Sequence, residues 1–159
     1  MKTVLLVHAH PDPQSLTAQL VQAARAELRA QGHEVIQSDL YALGWKAVYD
    51  EHDFPDRLDP ERLSFVAESG HAFSTGTQPD DVRAEQAKLL AADAVVFQFP
   101  LWWFGLPAIL KGWVDRVFAA GLTYGGGRWY SDGGAGGGAG TRHPGKPSKA
   151  ERSVPKQCP

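Results

Sequence analysis

Residues 94–118 read AVVFQFPLWWFGLPAILKGWVDRVF. Ala94-Val95-Val96-Phe97 is a short apolar run of the kind that fills a strand covered on both faces. The run ends at Pro100. Three aromatic residues in succession, Trp102, Trp103 and Phe104, then precede Gly105, and Pro107 suits the first turn of a following helix. That helix would turn Leu110, Trp113 or Val114, and Val117 inward. Inside a closed core, three consecutive aromatics must point in different directions. On a loop at the mouth of a sheet they can form a wall for a flat conjugated ligand, each ring adding roughly 0.5–1.5 kcal/mol beyond area burial. Plain core packing is the competing reading of the same residues.

Working outward, the rest of the front part alternates strand and helix signals. Thr3-Val4-Leu5-Leu6-Val7 predicts a first buried strand. Ser15 offers an N-cap hydroxyl to a helix whose stripe reads Leu16, Leu20, Ala24 and Leu28, with Gly32 closing it. His33 to Ser38 predicts a second strand. Residues 41–78 read as an irregular stretch rich in Tyr41, Trp45, Tyr49, Phe54, Phe65 and Phe73, a length that is usually functional or packed through its own rings. Asp80 or Asp81 is placed to cap a helix through Leu90. Strand-helix-strand repetition of this kind argues a parallel sheet with helices on both faces.

In open sheets of that class, ligands sit beyond the carboxyl ends of the strands. Two segments occupy such ends: the aromatic stretch, and His8-Ala9-His10-Pro11-Asp12-Pro13-Gln14-Ser15-Leu16-Thr17 after strand one. Open backbone N–H groups at that helix start, with the hydroxyls of Ser15 and Thr17, suit a phosphate or pyrophosphate. An ordinary capped helix is the alternative, and no G-x-G-x-x-G fingerprint is present.

The 159 residues carry a formal net charge of −2, 43% hydrophobic content and a single cysteine, Cys158. This balance gives no electrostatic case for nucleic-acid binding. The apolar run at Val4–Val7 is too short for a bilayer span or a signal h-region. A disulfide framework and a multi-cysteine metal site are excluded, and a soluble cytoplasmic protein is expected. The composition breaks at Ser131. Beyond it the chain crowds Gly133, Gly134, Gly136, Gly137, Gly138 and Gly140, with Val154 as the one larger aliphatic. A segment of this kind cannot bury enough surface to offset its ordering entropy. The expected organisation is one domain over residues 1–130 and a disordered Gly/Pro-rich tail over 131–159.

FQFPLWWFGLPAILKGWVDRVF, together with SDLYALGW after strand two and AEQAKLLAADAVVFQFP, resembles the flavin-dependent NAD(P)H:quinone oxidoreductases of the flavodoxin-like fold, a group that includes drug-activity modulators and ancillary reductases of potassium efflux systems. The resemblance implies a three-layer α/β/α parallel sheet. It also implies that His10, Ser15, Leu16 and Thr17 contact the ribityl and phosphate groups of a flavin, FAD by preference and FMN as the alternative. Pro100, Leu101, Trp102, Trp103 and Phe104 would lie against its ring system, and Trp103, Phe104 and Tyr124 would line the substrate slot, more open where Gly126 replaces a second Tyr of some relatives. The implied reaction is ping-pong transfer of two electrons from NAD(P)H to a quinone, in a homodimer with its sites at the interface. No acid or base residue is assigned. Of the five strands of such a sheet, in order 2-1-3-4-5, the sequence yields strands one to three. The family's next flavin loop, a Thr-Thr-Gly-Gly type segment, has no counterpart, so a truncation or shifted frame after about residue 130 is expected. Strand three would then be an exposed hydrophobic edge, and a partial flavin site that binds the cofactor weakly, with loss of activity, is the expected consequence.

Other readings compete. His-Pro-Asp after a first strand also resembles zinc-dependent deacetylases of amino sugars, with His8, His10 and Asp12 supplying on paper the three ligands that a catalytic zinc needs, although no later paired His completes that family's pattern. A regulatory subunit that keeps the reductase shape without its activity is the non-enzymatic alternative. Gly140 to Pro147 approximates a Walker A loop, but Pro147 stands where a magnesium-holding hydroxyl belongs. His33, His52, His71 and His143 are scattered and read as surface residues.

Overall fold

A computed structural model describes residues 1–125. Three strands, β1 (Thr3–His8), β2 (Glu34–Asp39) and β3 (Ala94–Gln98), alternate with helices α1 (Leu16–Ala30), α2 (Phe65–Thr75), α3 (Asp80–Ala91) and α4 (Ala108–Val117). The sheet is fully parallel in the order β2-β1-β3. Leu5 at its centre pairs with Ile36 on one side and Val95 on the other. This is the doubly wound α/β architecture expected from the sequence. The 131–159 tail, the Gly140–Pro147 loop, Gly126, His143 and Cys158 lie outside the described residues.

Strand β1 is the buried spine. Leu5, Leu6 and Val7 have no solvent exposure. Leu5 and Val7 enter a core with Leu40, Trp45, Val82, Leu89, Leu110, Trp113 and Val117, which is the α3 and α4 side. The alternate residues Leu6 and His8 point to the other face, where α1 packs against all three strands.

Several sequence expectations are corrected by this packing. The buried residues of α1 are Thr17 and Val21, with Ala24 and Leu28 half-buried beside them. Leu16 and Leu20 lie outside that stripe and are exposed. The true inner face starts one residue later, because the strands select the side that seats Val21. Residues 41–78 are not all irregular. They hold a 3-10 turn at Glu51–Asp53 and helix α2, closed by Gly76 at φ 71° in the left-handed conformation. The rings of that stretch do pack on one another: Tyr49 lies 5.5 Å from Phe54 and 4.6 Å from Phe65. Neither Asp80 nor Asp81 is the N-cap of α3. Pro79 holds that position without a side-chain bond, and both carboxylates fall in the first turn, where the helix dipole favours them. On α4 the N-cap is Pro107, and Trp113 rather than Val114 is the buried residue.

Two close fits join the layers. The carboxylate of Glu85, buried on α3, accepts from Ser38 Oγ at 2.6 Å, Trp113 Nε1 at 2.8 Å and Lys88 Nζ at 2.6 Å. Arg116 on α4 donates through Nε to Asp53 at 2.7 Å and stands 4.5 Å from the centre of the Trp45 ring. Strand β3 pairs only with β1 among the described residues, and Val96 and Phe97 are partly exposed on it, as expected of an open edge.

Candidate active site

The loops after β1 and β3 meet at the carboxyl edge of the sheet. Ala9 N–H donates to the carbonyl of Gln98 at 3.2 Å and holds the two loops side by side. On the first loop, the Asp12 amide donates to His10 Nδ1 at 3.0 Å. The Asp12 carbonyl lies 3.2 Å from the same Nδ1, and when Nδ1 accepts from the amide it is Nε2 that carries the ring proton. Asp12 also accepts from the Gln14 amide through Oδ1 at 2.8 Å and from the Ser15 amide through its carbonyl at 3.2 Å. The segment is thereby wound into the start of α1.

Ser15 is the N-cap, and its Oγ accepts from the Ala18 amide at 3.2 Å. Its O–H remains available to donate outward. The amides of Leu16 and Thr17 have no acceptor among the described residues. Leu16 extends its side chain into solvent, whereas the Thr17 side chain is buried on the inner face. Their shared contribution to this corner is thus two aligned backbone donors at the positive end of a helix.

The aromatic loop carries the most unusual backbone in the chain. Trp103 and Phe104 adopt φ of 49° and 59°, the only positive values at non-glycine positions among the described residues. Gly105 N–H donates to the Trp102 carbonyl at 3.0 Å. Two positive φ values inside such a bond give a type I′ turn, which favours Asn-Gly at its centre. Two bulky side chains there cost roughly 1–2 kcal/mol each. The result is to hold Trp103 97% and Phe104 92% exposed. Pro100 is half-buried and Leu101 exposed. The amides of Leu101, Trp103 and Phe104 also lack acceptors among the described residues. Trp102 leans on the first loop, its ring centre 5.9 Å from that of His10 at 59°.

His10, Ser15, the Leu16 and Thr17 amides, and Pro100 to Phe104 therefore belong to one corner. Tyr124 does not join them. It sits in a separate cleft with Tyr49, Phe65, Val66, Val114, Asp115 and Phe118, and it makes no ring contact with Trp103 or Phe104 among the described residues. Burial pushes the neighbouring Tyr49 phenol up to about 12, so it stays protonated at neutral pH.

The zinc arrangement is not assembled. His8 is buried beneath the loop, its Nε2 2.7 Å from Gln37 Nε2, while His10 faces Asp12 and Trp102. Among the described residues, the one trio of such side chains with ligand atoms gathered together is Asp50, Glu51 and His52, elsewhere on the surface. Sequence reading also passed over Asp12 as the group that orients His10. The orienting group is the Asp12 backbone, whose place is fixed by the Asp12 side chain accepting from the Gln14 amide, and an Asp just before a helix start is the turn signal for that.

A family model described as flavodoxin-like fold matches residues 2–146. A ribosyldihydronicotinamide dehydrogenase-like protein of Penicillium crustosum is 50% identical over 122 residues, covering 77% of this chain and 46% of that protein. NAD(P)H dehydrogenase [quinone] 1 of Rattus norvegicus is 42% identical over 125 residues, with 78% and 46% covered. Among solved structures, a Klebsiella pneumoniae protein assigned as a quinone reductase superimposes with a TM-score of 0.75 at 52% identity, over 78% of this chain and 48% of that one. The chain thus spans about half the length of these relatives.

Proposed function

We propose, from the premise that this chain belongs to the flavodoxin-like fold family and groups there with the NAD(P)H:quinone oxidoreductases, that its carboxyl-edge corner holds a flavin for electron transfer from NAD(P)H to a quinone. The observation that carries the reading is the strained turn at Trp103 and Phe104. Backbone strain of this kind persists where the exposed groups serve binding, and here it sets two rings beside an open helix start.

The residues present suit such a group. The Leu16 and Thr17 amides and the Ser15 hydroxyl offer donors for phosphate oxygens. Nε2 of His10 offers a further donor toward the ribityl side. Trp103 and Phe104 offer flat apolar surface to the ring system, and the amides of Leu101, Trp103 and Phe104 offer donors to its polar rim. When bound, the flavin supplies the two-electron chemistry, while the protein supplies orientation and exclusion of water. No side chain in the corner is assigned as an acid or base.

FAD is the cofactor form we favour, on the likeness of the FQFPLWWFG signature, with FMN as the alternative. The substrate slot includes Trp103 and Phe104 and is completed by Tyr124. Because Tyr124 lies in a separate cleft of its own protomer, this reading requires a homodimer in which a second copy brings that ring to the slot. A donor of the NAD(P)H type is an intracellular metabolite, which makes the cytoplasm the expected compartment.

The test is titration of the purified chain with FAD and FMN, followed by flavin fluorescence, then NADH or NADPH oxidation with a simple naphthoquinone. Saturable binding of one flavin per chain and quinone-dependent oxidation are expected. Failure of both flavins to bind overturns the reading.

A further inference from the structure

The turn at residues 102–105 is strained at its two central positions, and both of those side chains stand in solvent. Trp103 and Phe104 therefore do not hold the conformation themselves. The contacts that do converge on Trp102. Its N–H donates to the Pro100 carbonyl at 3.0 Å, and its carbonyl accepts from Gly105 at 3.0 Å. Of the three consecutive aromatics, Trp102 alone makes a ring contact among the described residues, and that contact is with His10 on the other loop.

His10 is fixed in turn. The Asp12 amide donates to its Nδ1, and the Asp12 carbonyl accepts from Ser15, the N-cap of α1. A continuous path of contacts thus runs from the strained turn through Trp102, His10, Asp12 and Ser15 to the helix start. The strand-level tie between Ala9 and Gln98 lies at the base of the same two loops.

We propose that the His10–Trp102 contact is a clasp that couples the two halves of the corner, the ring-facing turn and the phosphate-facing helix start, so that they engage one ligand as a unit. The proposal rests on the flavin reading above and goes beyond it. It makes Trp102 a positioning residue whose effect on binding passes through His10. Two residues that each touched the ligand independently would contribute separately. A coupled pair loses the shared benefit once, whichever partner is removed.

The experiment is a double-mutant cycle on FMN affinity with His10→Ala, Trp102→Ala and the double variant, together with Trp102→Phe. Trp102→Ala is expected to weaken FMN binding about tenfold, His10→Ala by more because it also removes the Nε2 donor, the double variant no more than His10→Ala alone, and Trp102→Phe far less, since an aromatic ring is retained. A second readout needs no ligand: near-ultraviolet circular dichroism of the protein without flavin. The difference spectrum between wild type and Trp102→Phe, which reports the fixed indole, is expected to collapse in the His10→Ala background. Losses that multiply in the double variant, or a Trp102 difference spectrum that His10→Ala leaves unchanged, would overturn the clasp. If wild type binds neither FAD nor FMN, the flavin reading fails, and the dichroism arm decides the contact alone; if FAD alone binds, the same cycle is read on FAD.

Discussion

A Cβ added to Gly112 on α4 would meet the carbonyl oxygen of Ala47 at 2.0 Å and its carbonyl carbon at 2.6 Å. The segment that follows β2 crosses α4 at this point with no space for a side chain. The obstacle is backbone, so it cannot turn aside as a flexible side chain would. The same crossing places Trp45 beside Arg116, and the Lys46 carbonyl accepts from Arg116 Nη1 at 3.3 Å. Gly112→Ala should therefore destabilise the fold by about 2–3 kcal/mol, the upper part of the overpacking range, despite the better helix propensity of alanine. Urea unfolding would read this as a lowered midpoint. An unchanged midpoint would mean that the 45–47 segment is free to lift away.

Substitutions at the strained turn should act in the opposite direction on stability. Trp103→Gly and Phe104→Gly remove side chains that pack on little and relieve a left-handed backbone that glycine adopts without penalty. A gain of about 1 kcal/mol each is expected in thermal unfolding, together with weaker flavin binding in the titration described above. Loss of stability in both variants would show that the turn is not strained in solution.

The Glu85 carboxylate answers three donors at once in a buried position. Glu85→Gln keeps the shape but turns one acceptor into a donor, which must then face Ser38 and Trp113 or else Lys88. A loss of about 1–3 kcal/mol is expected, since one buried donor is left unanswered. Chemical denaturation monitored by Trp fluorescence measures it, and the buried Trp113 indole should report the changed surroundings.

Acid should weaken the fold in two separable steps. Burial holds the His8 imidazole below its ordinary 6.5, with Asp39 opposing and Arg25 reinforcing that shift. The unfolded chain then takes up this proton at higher pH than the folded one, so stability present above 6.5 is lost as pH falls below it. Glu68 lies below its ordinary 4.5, chiefly because the Leu58 amide donates to its carboxylate, with help from the Asp59 amide and Arg57. By the same sign, its contribution is present above 4.5 and fades below it. Urea midpoints measured across this range should show the upper step reduced in His8→Gln and the lower step reduced in Glu68→Gln. An acid profile that neither substitution alters would refute both assignments.

Much of the fold was legible because its signals are local. The runs Thr3–Val7 and Ala94–Phe97, the closing Gly32 at φ 80°, and the apolar face Leu110, Trp113 and Val117 each declare their structure within a few residues. The candidate corner was legible for a related reason. Trp102, Trp103 and Phe104 lie together in the chain, and a strand end followed by a Pro and a Gly can place them only on a loop.

What stayed hidden depends on partners distant in the chain. Leu16 and Leu20 make as good a stripe as Thr17 and Val21 until the sheet selects one side. Helix α2 was missed because its buried residues include Glu68 and Ser69, polar groups that a reading by apolar period counts as surface. Glu68 is buried because it answers amides nine and ten residues earlier. Tyr124 was grouped with Trp103 and Phe104 by likeness alone, and packing of α4 against the 49–66 segment put it in another cleft. Composition and periodicity specify which segments form strands and helices, because those choices are made by neighbouring residues. Which side of α1 is buried, where the left-handed turn falls and which loops touch are settled by contacts between residues far apart in the chain, and no local pattern encodes them.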